Sequence, residues 1–177
     1  MRRFVLIVLA LVIFQGLYSQ ENSSLERVRN DFQAISGEDD IEELLKFKVD
    51  REDPHAPVIQ AYQAAGTCRM AEFVFSPIKK LKYFHEGRDT LERLIENEKN
   101  VENVYCRLLV QLNVPKILNY HQEIESDIGF LQEELPKAKI DPDYKSVMIN
   151  NLVTLAENDE LKKSLLGIDL GGKGNKS

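Results

Sequence analysis

Two cysteines among 177 residues, Cys68 and Cys106, are too few to staple a small fold together, so a conventional hydrophobic core has to hold this chain. No stretch alternates apolar and polar residues with period two for long enough to build a sheet. No apolar run reaches the roughly 20 residues that span a bilayer as a helix; the run at the N-terminus, Phe4 to Phe14, is about half that. There is no Gly-x-Ser-x-Gly turn, neither cysteine has a histidine nearby in sequence, and no Gly-rich phosphate loop lies between a strand and a helix. Gly171-Gly172-Lys173-Gly174 lacks both flanks. Basic residues are in deficit, 23 Lys+Arg against 29 Asp+Glu, for a net charge of −6. An acidic surface repels phosphate backbones and anionic lipid, which argues against nucleic acid or a membrane face as partner.

What the chain does have begins at its N-terminus. Met1-Arg2-Arg3, the apolar run and the short polar segment Gln15 to Gln20 follow the three-part layout of a secretory signal. Ser19 is the small residue at its end, which places cleavage between Ser19 and Gln20. The domain expectation is therefore a signal peptide over 1–19, one helical domain over 20–170, and a glycine-rich polar tail over 171–177 without fixed structure. Cleavage removes two arginines and no acid, taking the net charge to about −8, and leaves no stable membrane insertion. The protein then works outside the cytoplasm, in the periplasm or beyond the cell. An uncleaved segment would instead make it an inner-membrane-anchored periplasmic domain.

Helical periodicity, broken by Pro, Asn and Asp, dominates the rest. Leu25, Val28, Phe32 and Ile35 form a first stripe that Gly37 ends, and Ile41, Leu44 and Leu45 a short second one behind acids that suit a helix N-terminus. Longer helices are expected over 56–75 and 77–98, the second opened by the cap-then-proline pair Ser76-Pro77. Ile78, Leu81, Phe84, Leu91, Leu94 and Ile95 are assigned to its apolar side. A helix over 101–112 follows, then one from Pro115 to about Leu135. Asp141-Pro142 opens another, lined by Tyr144, Val147, Met148, Asn151, Leu152 and Leu155, and Asn158 caps a last short one ending at Gly167. The fold class is all-α.

Two helices are apolar around most of their circumference, 58–75 and 101–112, and belong between neighbours; the others carry a single stripe and belong outside. Ala61, Ala64, Ala65 and Gly66 let another helix come close to the first. Hairpins 56–98 and 101–135 look alike, with Val58 and Tyr62 matching Val101 and Tyr105 at a spacing of 43. The architecture expected is a stack of antiparallel helical hairpins, tetratricopeptide-like although its period exceeds the 34 residues of that repeat.

The residues Tyr62, Ala64-Ala65, Pro77, Lys79-Lys80, Phe84, Gly87, Leu91-Glu92 and Ile95, continuing through Arg107, Gln111, Pro115, Leu118-Asn119-Tyr120 and Asp127, resemble a family of exported proteins of flavobacteria and their relatives. The resemblance covers roughly 57–130. It implies a helical, tetratricopeptide-like domain behind a signal peptide and carries over no catalytic residue.

Arg69 and Arg107 are the leading candidates for function. Each lies in a mostly apolar helix, where a guanidinium must reach water or find a carboxylate. On the concave face of a hairpin stack, beside Tyr62 and Tyr105, an arginine can grip a partner's carboxylate bidentately; the structural reading is a salt bridge to an acid such as Asp127 or Glu72. His121 and Glu125, one turn apart, with His85 at the matching place on the previous hairpin, are the candidate ligands of a metal-dependent alternative, although H-E-x-x-H is missing and a hydrogen-bonded core histidine is the ordinary explanation of His121 on its apolar stripe. Glu38-Asp39-Asp40 lacks the spacing of a calcium loop, and Lys79-Lys80-Lys82 reads as a solvated face. Cys68 and Cys106 are expected to be unpaired, about 9 Å out of step along parallel helices. The function expected is non-enzymatic, an interaction or scaffold module without cofactor for a protein or peptide partner.

Overall fold

Pro77 lacks an N–H, so it is tolerated at the first position of a helix, and Ser76 before it supplies a capping oxygen to Lys79. A capping side chain likewise starts three further helices of the computed structural model, which describes residues 24–50 and 52–168. Asn100 caps through Asn103, Asp141 through Asp143 and Tyr144, and Asn158 through Leu161. Among the described residues there are eight α-helices and no strand: α1 over 24–33, α2 Glu38–Lys46, α3 Ala56–Phe73, α4 Pro77–Asn97, α5 Val101–Asn113, α6 Ile124–Glu134, α7 Pro142–Leu155 and α8 Asp159–Leu166. The expected signal peptide over 1–19 and the tail over 171–177 lie outside the described residues. No described helix is long and apolar enough to cross a membrane.

The helices pair as antiparallel hairpins. Cys68 Sγ of α3 meets the carbonyl of Phe84 on α4 at 3.6 Å. Gly87 sits so close to α3 that a Cβ there would lie 2.4 Å from both the Ala64 carbonyl oxygen and Cys68 Sγ. The small residues expected to admit a neighbour do so: Ala64 faces α4, and Gly66 faces Leu44 and Ile41 of α2. Successive hairpins then stack in parallel. Tyr62 meets Glu102 and Glu72 meets Asn113, pairs separated by 40 and 41 residues, which fixes α3 and α5 side by side and pointing the same way. The sequence match at a spacing of 43 falls within one helical turn of that register.

The stack closes on itself. Phe32 of α1 and Ile35 just after it touch Tyr62 and Arg69 of α3, α5 packs between α3 and α7, and Gln33 and Arg29 of α1 meet Asn151 and Tyr144 of α7. Four parallel inner helices, α1, α3, α5 and α7, thus form a ring, with α2, α4, α6 and α8 outside it. This corrects the assignment of every single-stripe helix to the outside: α1 and α7 are half of the inner ring, because each turns its stripe to α3 or α5 and its polar side chains to the other.

Two further corrections concern one element boundary and one apolar face. The helix expected from Pro115 to Leu135 is broken: Lys116–Leu118 is a 3-10 turn, Asn119 takes a left-handed φ of 48°, and α6 starts at Ile124. Asparagine tolerates that conformation better than most residues. The break swings Tyr120 inward, where its ring packs edge-on against Phe84 at 5.7 Å and its hydroxyl donates to Glu92. Ile78, expected on the apolar side of α4, is 81% exposed; six residues before Phe84 it lies about 120° away around the helix.

Candidate functional site

The base of the ring holds a buried polar network. Arg29 donates to Glu102 through Nε at 2.8 Å and Nη2 at 2.6 Å, and Tyr62 donates its hydroxyl proton to the same carboxylate at 2.7 Å. Tyr62 has one proton and it is committed, so the Tyr144 hydroxyl, 2.7 Å away, must be the donor in their contact. Arg29 also stacks over the Tyr144 ring, 4.8 Å from its centroid. Both diagonals are therefore bonded, α1 to α5 and α3 to α7. Tyr105 accepts from Asn151 at 2.8 Å, and its ring meets Tyr62 edge-on. Burial pushes the hydroxyls of Tyr62, Tyr105 and Tyr144 well above their ordinary value of 10.

A second buried cluster joins hairpins α3/α4 and α5/α6. Arg107 donates to Asp127 bidentately, Nε at 2.7 Å and Nη2 at 2.6 Å, and to Glu92 through Nη1 at 2.8 Å. Burial pushes Asp127 up, and the two bonds from Arg107 oppose it. Asn103 and Gln111, one turn either side of Arg107, are buried on the same side of α5. Of the expected concave-face candidates, Tyr62 and Tyr105 are thus sealed inside the ring and Arg107 is held in the salt bridge to Asp127.

Arg69 is placed differently. Because the inner helices run parallel, their C-terminal ends gather at one end of the molecule, around an open cavity of about 390 Å³. Its floor is apolar, with Phe32, Leu109 and Val110, and Gln33, Asn113, Asn151 and Thr154 line it with amides and a hydroxyl. Converging C-termini carry partial negative charge. Arg69 answers it by donating to the Ile35 carbonyl at 3.1 Å and lying 3.8 Å from Glu72, which also accepts from Asn113 at 2.7 Å. The mouth combines an apolar floor with polar groups of balanced charge, suited to an apolar side chain on a polar backbone.

Arg29, Glu102, Tyr144 and Asn151 were not singled out from sequence. Glu102 carried the same signal as Arg69 and Arg107, a charge within an apolar helix; Arg29 had none, being one of several charges on an amphipathic stretch. The metal candidates separate. His121 and Glu125 line a second cavity between α5, α6 and α8, His121 bonds the Val114 carbonyl at 3.2 Å, and His85 is exposed on α4. Among the described residues no group of three or more His, Cys, Asp or Glu is placed to hold a metal.

Both thiols are free and buried. The observed register brings the cysteines within about 5 Å along the helix axes, closer than expected, but Cys68 turns to α4 while Cys106 lies near Glu102. Direction, not offset, separates them. Burial raises the Cys68 thiol to about 12 and Cys106 well above its ordinary value. Comparisons with family models, curated proteins and solved structures find no match for the chain.

Proposed function

We propose that this protein is a non-enzymatic interaction module acting outside the cytoplasm, and that it seats an apolar side chain of a protein or peptide partner in the mouth of its inner helix ring. The observation that carries this reading is the open cavity over Phe32, Leu109 and Val110 at the C-terminal ends of the inner helices. Gln33, Asn113 and Thr154 are exposed on its walls and can bond a partner's backbone. The non-enzymatic part rests on engagement. Arg29, Glu102, Arg107 and Asp127 are bonded to one another in ion pairs, and the buried thiols and phenols are held in their protonated forms, so none is poised to move a proton near neutral pH. The extracytoplasmic part rests on the signal-like N-terminus.

Site-specific photo-crosslinking in the native envelope tests the proposal. A crosslinker at Asn113 or Thr154 is expected to trap one partner, and one at Lys139, on the connector before α7 at the opposite end, is expected not to. Thr154→Trp, which fills the opening, should abolish capture at Asn113. Equal capture from both ends, or capture at Asn113 that survives the block, refutes the mouth as the site.

A further inference from the structure

The end of the molecule that carries the mouth has a second feature. A helix packed on its own body buries one face in every turn, yet the first six residues of α4, Pro77 to Lys82, are all exposed. The helix start therefore stands clear of the body. Phe75, just before it, is 99% exposed, and Ile78 and Leu81 are also exposed. Ile78 and Leu81, three residues apart on α4, make a short outward ridge, and Phe75 stands exposed just ahead of the helix in extended backbone. On the connector between α5 and α6, at the same end of the hairpins, Ile117 is 90% exposed.

The charge around the ridge runs against the rest of the protein. In a chain of net charge −6, Lys79, Lys80 and Lys82 are packed into four positions flanking these apolar side chains. Lys79 and Lys80 have no ion-pair partner among the described residues, and Lys82 only an exposed contact with Glu86 at 3.7 Å. Lys116 beside Ile117 is paired with Glu157.

We propose that this tip is a peripheral docking site for an anionic lipid bilayer, with Phe75, Ile78 and Leu81 entering the headgroup boundary and Lys79, Lys80 and Lys82 contacting lipid phosphates. An apolar ridge rimmed by lysine is the chemistry that binds an interface without spanning it, and each lysine adds attraction that acts only within a Debye length of the surface. That short range is why a local cluster can prevail where the averaged charge of the whole chain argues against a membrane: the acids elsewhere are screened once the tip is in contact.

Sedimentation of the chain from Gln20, the expected exported form, with phosphatidylcholine vesicles, with and without phosphatidylglycerol, tests it. The protein is expected to bind the anionic vesicles only, and to be released by salt. Phe75→Ser/Ile78→Ser and Lys79→Glu/Lys80→Glu should each weaken binding at least tenfold while leaving circular dichroism and Tm unchanged, since all four side chains are exposed. No binding by the natural chain, equal binding to neutral vesicles, or binding unaltered in both variants overturns the proposal. So does a concentration-dependent dimer in analytical ultracentrifugation that disappears in Phe75→Ser/Ile78→Ser, which would make a second copy the occupant of the ridge.

Discussion

The base and the mouth of the inner ring are built from the same four helices and differ in what fills them. At the base, Arg29, Glu102, Tyr62 and Tyr144 satisfy one another and leave no room. At the mouth, Arg69, Glu72 and Asn113 are bonded around an opening. A polar network that is complete specifies how helices meet, because any other arrangement strands a buried charge. One at a rim can lose a member to water. The same residue types therefore act as a fastening in one place and as an accessible wall in the other.

The sharpest way to break the comparison is to delete one carboxylate from each region. Glu102→Ala strands a buried guanidinium and should cost about 3–5 kcal/mol in urea unfolding. Glu72→Ala should cost less than about 1 kcal/mol, as expected of an exposed pair. Equal losses would mean the mouth is as structural as the base. Tyr144→Phe removes one donor and leaves the Tyr62–Glu102 bond intact, so a loss of about 0.5–1.5 kcal/mol is expected.

Thiol labelling sharpens the contrast without altering the network. Cys68 lines the cavity and Cys106 lies inside the ring. At pH 8 both should react more slowly in the native protein than in denaturant, because burial disfavours the thiolate. Cys68 should be the faster of the two, measured in Cys68→Ser and Cys106→Ser single variants. The reverse order would place the opening elsewhere.

The smallest effect concerns Asp40, at the start of α2. Its carboxylate accepts from the Ser36 backbone and hydroxyl and from the Gly37 N–H, which lowers its pKa, with Arg69 contributing. A depressed acid stabilises the fold above its unfolded value of about 3.9 and loses that contribution as pH falls through its lower folded value. Asp40→Ala should be less stable than the natural protein at neutral pH, with the difference shrinking as an acid titration passes below the ordinary carboxylate range. A difference independent of pH would mean that the hydrogen bonds seen at Asp40 do not persist in solution.

Most element positions follow from local chemistry. Proline at a first helical position, asparagine and aspartate caps and a 3.6-residue stripe act within a few residues of one another, so the sequence specifies them without help from the rest of the fold. The centrality of α3 and α5 was legible for the same reason: a helix without a polar face has nowhere else to go. The break at Asn119 was not, because the core's demand for Tyr120 outweighed a helical stripe that locally looked unbroken.

The sequence by itself thus determined the helices, their caps and which pair would be most buried. Only the tertiary structure decided that the hairpins curl until α1 meets α7. That closure depends on how far each hairpin is turned relative to the one before it, and such small rotations accumulate over four hairpins with no signature in any one of them. It also decided the fates of two arginines that looked alike in sequence. Arg107 lies on the side of α5 facing α6, where Asp127 waits, and Arg69 lies at the end of the ring, where water does. A residue's chemistry is written in its own letter, but its surroundings come from segments that only folding brings near.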